Sequence, residues 1–177
     1  MPEPEDILDL DLLETHVRTA GEIARAFFGG DFRHWDKGAG QPVTEADLAI
    51  DKFLMENLRA ARPAYGWLSE ESEDDPARLT AEKIFMVDPI DGTIAFVKGR
   101  PHFSICAGLV RAGRPYAGVV YNPVSEEFYS ARLGGGARLN GAPIRVSLRQ
   151  TIEGCAMLGA KTMFYNPAWS KPPFTPW

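Results

Sequence analysis

Asp88 and Asp91 close an apolar run, Lys83-Ile84-Phe85-Met86-Val87, and are followed at once by Gly92-Thr93. Carboxylates, a tight turn and backbone N–H groups are thereby gathered at one strand end. Hard cations such as Mg²⁺ take oxygen ligands, and they commonly reach a protein through a few carboxylates together with a substrate phosphate. A strand tip that opens a helix offers backbone donors to that phosphate. The segment reads as a combined site for a divalent metal and a phosphate group.

Spacing narrows the chemistry. In the D-x-D-G-T arrangement of haloacid-dehalogenase phosphatases the two Asp residues flank a single residue and the first is a nucleophile. Here both Pro89 and Ile90 intervene. An EF-hand loop needs an oxygen-bearing side chain at its third position, and Ile90 has none. A purely structural reading would have Asp88 and Asp91 cap a helix with Gly92-Thr93 in its first turn. The other acidic motifs in line with them make that the weaker reading.

Upstream, Trp67-Leu68-Ser69-Glu70-Glu71-Ser72 is again a short apolar run ending in acids. Two strands that each terminate in carboxylates can converge on one cation cluster. Earlier still, Pro42-Val43-Thr44-Glu45-Ala46-Asp47 begins a helical stretch. Thr44 as N-cap and Asp47 three residues later form a capping-box-like pair, with Asp in place of the usual Glu or Gln. Alone, Asp47 reads as a cap partner rather than a catalyst.

With V-T-E-A-D at 43–47, S-E-E-S at 69–72, V-D-P-I-D-G-T at 87–93 and G-G-G-A-R-L-N-G-A-P-I-R-V-S at 134–147, the chain resembles the inositol monophosphatase family of Mg²⁺-dependent, lithium-sensitive phosphatases. The motifs fall in the family's order and spacing along essentially the whole chain. The resemblance implies an α+β fold, the layered α/β sandwich of inositol monophosphatases and fructose-1,6-bisphosphatases, whose N-terminal part packs an antiparallel sheet on two long helices. It implies Mg²⁺ as cofactor, with Glu70, Asp88 and the Ile90 carbonyl holding a first ion and Asp88 bridging to a second shared with Asp91. Thr93, polarised by Asp47, would orient and help deprotonate a water that attacks directly, without a covalent phosphoenzyme. Glu70 would also be catalytic, and Asp91, Gly92 and Thr93 would bind the substrate, with the Gly92 and Thr93 N–H groups on its phosphate.

The activity implied is hydrolysis of a small phosphate monoester of the inositol monophosphate class. The chain departs from the usual G-T-T-N-F in reading Gly92-Thr93-Ile94-Ala95-Phe96, and Asp74-Asp75-Pro76-Ala77-Arg78-Leu79 looks like the branch acting on adenosine 3′,5′-bisphosphate. A 3′(2′),5′-bisphosphate nucleotidase and a histidinol-phosphate phosphatase therefore stay open. Family members continue into a second α/β half, where a W-D motif completes the second metal site. This sequence ends in Pro172-Pro173-Phe174-Thr175-Pro176-Trp177 without it. The expectation is a C-terminally truncated member, with residues 1–147 an N-terminal metal- and phosphate-binding domain and 148–177 the start of the other half. A catalytically incomplete metal- or phosphate-binding fragment is the alternative of another class.

Composition agrees with a compact domain. The 177 residues are 45% hydrophobic, enough for a sizeable core. The acidic Met1-Pro2-Glu3-Pro4-Glu5-Asp6 start has neither the basic nor the apolar region of a signal peptide, and no apolar run approaches the ~18–20 residues of a membrane span. A cytoplasmic location is expected. A net charge of −5 without a basic cluster argues against a nucleic-acid partner. A small phosphorylated metabolite is the partner expected, no membrane is involved, and a homodimer is left open. Cys106 and Cys155, in apolar stretches and without C-x-x-C spacing, read as reduced core thiols.

Helical periodicity places the elements that must position these residues. Ile7, Leu10, Leu13, Val17, Ala20, Ala24 and Phe27 predict one long amphipathic helix stopped by Gly29-Gly30. His16 beside that stripe reads as a packing or surface residue. A second helix is predicted from about Thr44 to Ala61, ended by Pro63. Between them Asp31 to Gln41 reads as a polar, Gly-containing loop whose Lys37 could approach the site, though a solvated lysine is the preferred reading. Phe103 to Val110, Tyr116 to Tyr121 and Glu127 to Leu133 read as strands separated by turns, with a further tight turn at Asn140-Gly141.

Overall fold

The computed structural model describes residues 4–38, 40–151 and 153–154. The chain forms two compact units, Met1–Arg145 and Val146–Trp177. Among the described residues of the second, Arg149 donates to the Glu153 carbonyl (2.6 Å). The first carries every helix and strand described below.

The first helix, α1, runs Pro4–Phe27. Leu13, Val17, Ala20 and Ala24 are fully buried at helical spacing, and the chain leaves through Gly29 at φ +78°. At its N-terminal end the apolar stripe departs from expectation: Ile7 is exposed, whereas Asp6 and Asp9 are buried. Charge pairing explains it. Asp9 accepts hydrogen bonds from Tyr116 (2.7 Å), Tyr65 (2.8 Å) and Arg62 (2.8 Å) and faces Lys83 (3.3 Å), while Asp6 pairs with Arg111 (3.0 Å). A buried carboxylate with that many donors escapes the cost of an unpaired charge. His16 is a packing residue, with Nδ1 on the Leu12 carbonyl (2.8 Å) and its ring against Phe53.

Residues 31–41 are not all loop. β1 (His34–Asp36) pairs antiparallel with β2 (Pro42–Thr44). Asp36 Oδ1 organises the tip by accepting from the Gly38 (2.7 Å) and Gln41 (3.1 Å) N–H groups. Strands this short beneath a polar, Gly-rich tip leave no periodicity to read. α2 (Glu45–Ala61) follows directly, with Thr44 as N-cap and the full capping box to Asp47.

The main sheet has seven strands in chain order: β3 (Gly66–Ser69), β4 (Lys83–Asp91), β5 (Ser104–Arg111), β6 (Arg114–Asn122), β7 (Glu127–Arg132), β8 (Gly136–Leu139) and β9 (Ala142–Ile144). β3 and β4 are parallel and every later pair is antiparallel. Ala112-Gly113 and Asn140-Gly141 both have positive φ at two successive residues, as two-residue hairpins of this twist require. A 3₁₀ helix (Pro76–Thr80) links β3 to β4, and α3 (Thr93–Val97) follows β4.

Both long helices cover one face of the sheet, α1 over β5–β7 and α2 over β3 and β4. Phe85, Ile105, Leu109, Val119 and Phe128 fill the core between them. The result is the α+β arrangement expected. The opposite face carries Leu68, Met86, Val120, Tyr129 and Ile144, which border an open cavity of about 760 Å³. Cys106 opens onto this cavity too and is half-buried, so it is a free thiol at the sheet's other face rather than in the helix-covered core. Cys155 lies outside the described residues. No helix among the described residues is long and apolar enough to cross a membrane.

Candidate functional site

Strand register assembles the acids. In the parallel β3–β4 pair Ser69 lies opposite Val87, so Glu70, just past the end of β3, and Asp88 on β4 emerge side by side. On the other edge of β4, Asp88 pairs with Cys106 and Asp91 with Ser104, three steps along β4 against two along β5. That bulge resets the two-residue alternation of a strand, by which residues three apart would point to opposite faces. Pro89, without an N–H to pair, suits the bulge, and Ile90 anchors it with a buried side chain.

Gly92 turns the chain from β4 into α3. Its φ is +93°, and a Cβ there would lie 2.7 Å from the His102 carbonyl oxygen. Glycine is required on both counts. Thr93 then aims its hydroxyl back at the strand end, donating to the Ile90 carbonyl (2.9 Å), with Asp47 Oδ1 3.5 Å away. The Asp47 carboxylate is divided: Oδ2 accepts from the Thr44 N–H (2.8 Å) and hydroxyl (2.5 Å), while Oδ1 faces Thr93. Cap partner and site residue are thus one side chain. Burial pushes its carboxyl above the usual carboxylate range, against the lowering effect of the Thr44 donors.

The Asp88 carboxyl is pushed up to about 7, first by burial and then by the charges of Glu70, Asp91 and Asp47. Like charges crowded into a desolvated corner hold a proton. The structure therefore brings together Asp47, Glu70, Asp88, Asp91 and Thr93 as the motifs predict, with the Ile90 carbonyl beside them.

Lys37 corrects its expected role. It is exposed but not free: its ammonium pairs with the Glu71 carboxylate and donates to the Glu70 carbonyl (3.1 Å). Glu71 is itself raised by burial, an effect that Lys37 opposes. The partners lie more than thirty residues apart in sequence, and only the β1–β2 hairpin brings them into contact. A lysine at the tip of a polar segment between two helices was the one signal available. Lys37, Glu70, Glu71, Gly92, Thr93 and Ile94 line a cleft of about 470 Å³.

Among the described residues no three Asp, Glu, His or Cys side chains stand close enough together to hold a metal ion as they are. The donor set nonetheless fits a hard cation. It is all oxygen, and Asp88 is raised first by burial and then by three neighbouring acids, whose mutual repulsion a divalent ion between them would relieve.

Residues 9–170 match the model of the inositol monophosphatase family. The chain belongs to the inositol monophosphatase family. It is 40% identical over 126 residues to the inositol-1-monophosphatase of Rhizobium meliloti, covering 71% of this chain and 47% of that one. Inositol monophosphatase 3 of Solanum lycopersicum is 38% identical over 145 residues, covering 81% and 54%. The solved structure of the Thermotoga maritima IMPase superposes with a TM-score of 0.76 at 32% identity, over 82% of this chain and 56% of that one. The chain thus spans about half the length of the curated relatives it matches.

Proposed function

We propose that this member of the family acts as a Mg²⁺-dependent phosphomonoesterase on a small phosphate monoester of the inositol monophosphate class, with residues 1–147 supplying the metal- and phosphate-binding part. Glu70, Asp88 and the Ile90 carbonyl would hold one ion, and Asp88 with Asp91 a second. When bound, such ions neutralise phosphate charge and lower the pKa of a neighbouring water.

The chain's own residues supply orientation. Thr93 Oγ1 lies between the Ile90 carbonyl and Asp47 Oδ1, so it can take a proton from a water in the cleft while Asp47 draws on its own O–H. Asp47 is held for that by Thr44. The Gly92 and Thr93 N–H groups, on residues that line the cleft, would hold the phosphate, and Asp91 would bind the substrate. Lys37 adds positive charge at the cleft's other wall. Positioning and charge neutralisation supply most of the catalysis in phosphoryl transfer.

The observation that carries this reading is the convergence of Glu70, Asp88 and Asp91 at the ends of β3 and β4 with Thr93 and Asp47 beside them; burial first, and then the charges of Glu70, Asp91 and Asp47, raise the Asp88 carboxyl to about 7. The test is phosphate release from inositol 1-phosphate, adenosine 3′,5′-bisphosphate and histidinol phosphate, assayed side by side with Mg²⁺. Release led by the inositol ester and abolished by a chelator is expected, with no acid-stable label on Asp88. A trapped aspartyl-phosphate, or release indifferent to chelation, would overturn the reading.

A further inference from the structure

Asp51 lies one helical turn beyond Asp47 on α2 and points at the same end of the sheet. It is 6% exposed, and its Oδ2 accepts from the Ser72 hydroxyl (2.5 Å). Ser72 in turn accepts from Trp67 Nε1 (3.2 Å), on the buried indole of β3. Asp51 Oδ1 is buried with no hydrogen-bond partner. Capping, core packing and the catalytic groups already named leave this carboxylate unused, and a half-satisfied buried carboxylate is costly to keep.

Its partner explains why it is kept. Ser72 belongs to residues 70–75, which follow β3 without helix or strand, and the same segment carries Glu70 and Glu71. Backbone ladders do not fix such a segment, so side chains must. Asp74 and Asp75 tie its far end to Arg78 and the Ala77 N–H, and three ties hold the part around Glu70: the Glu71 N–H on Ser69 Oγ (3.3 Å), Lys37 on the Glu70 carbonyl and the Glu71 carboxylate, and Ser72 between Asp51 and Trp67. The first two lie at the β3 end and on the β1–β2 hairpin. The third ties the segment to α2, the helix that also supplies Asp47.

We infer that Asp51 is a positioning residue for the metal site, acting through Ser72 to hold the Glu70 carboxylate toward Asp88. This rests on the metal reading above. A charged acceptor makes a stronger bond to the hydroxyl than a neutral one, and one helix then fixes both the Thr93–Asp47 pair and the Glu70 segment. Partners that orient a ligand from behind govern metal affinity without touching the ion.

Mn²⁺ binding to the 177-residue chain, measured by isothermal titration calorimetry, tests this without recourse to turnover. Ser72→Ala, in a segment outside helix and strand, should weaken Mn²⁺ about 10-fold or more, the size typical of losing a ligand-orienting partner. Ser72→Thr, which keeps the hydroxyl, should restore it, and adding Asp51→Asn to Ser72→Ala should cost little more, because both act on one path. Leu54→Ala, a core truncation on the same helix, should lower the melting temperature and leave Mn²⁺ affinity unchanged. Ser72→Ala binding Mn²⁺ like the unsubstituted chain, while Glu70→Gln binds it weakly, overturns this inference and spares the metal reading. Glu70→Gln binding like the unsubstituted chain overturns both.

Discussion

Asp88 concentrates the site's electrostatics in one side chain. Burial and the charges of Glu70, Asp91 and Asp47 raise it to about 7, above its unfolded value of about 3.9. In the absence of a divalent ion the folded state then holds a proton that the unfolded state has released, so stability is greatest below the unfolded value and falls as pH rises through the window to about 7. Asp47 and Glu71, also raised, act in the same direction. With metal removed by a chelator, the melting temperature is expected to drop between pH 5 and pH 8, and Asp88→Asn should flatten that slope while abolishing the rise produced by Mn²⁺. A slope unchanged by Asp88→Asn would place the proton elsewhere. At this scale the motif residues were legible, because D-x-x-D-G-T after an apolar run leaves few other chemistries. Lys37 and the Asp51–Ser72–Trp67 chain were not, since their meaning lies in contacts that only tertiary folding creates.

At the scale of elements, the bulge and the left-handed turn do the positioning. Gly92 combines φ +93° with a Cβ path blocked at 2.7 Å by the His102 carbonyl oxygen. Gly92→Ala should therefore destabilise the chain by about 1–3 kcal/mol from backbone strain alone, more if β5 must shift, and should lower Mn²⁺ affinity by displacing the Ile90 carbonyl and Thr93. Chemical denaturation with metal absent, followed by metal titration, checks both; full stability in the alanine variant would contradict the turn's role. The two long helices were legible from their 3.6-residue period and from Thr44 and Pro63. The β5–β7 meander was legible from turn composition. The N-terminal turn of α1 was misread at Ile7, because Asp6 and Asp9 find partners 53 to 107 residues away, and no local pattern reports such pairs. The β1–β2 hairpin and the 3₁₀ helix are too short to impose a period.

For the whole molecule, the proportion of the family covered matters most. This chain spans 47% and 54% of the two relatives named above. In the proposed site Glu70, Asp88 and the Ile90 carbonyl would hold the first ion, and among the described residues the second would draw on Asp88 and Asp91. Two-metal phosphoryl transfer needs one ion to activate water and another at the leaving oxygen. The 177-residue chain should therefore turn over phosphate monoesters at least ~100-fold more slowly than a version extended with a further carboxylate-bearing segment, the loss typical of removing a main electrostatic stabiliser. Equal rates at saturating Mg²⁺ would contradict it. Metal binding at Asp88 is tested by a calorimetric titration of the unsubstituted chain and its Asp88→Asn variant with Mn²⁺ and Mg²⁺. One divalent ion per chain is expected in the first and none in the second, with affinity falling as pH drops below about 7 because Asp88 must lose its proton. Uptake unaltered by Asp88→Asn, or no uptake at all, would contradict it.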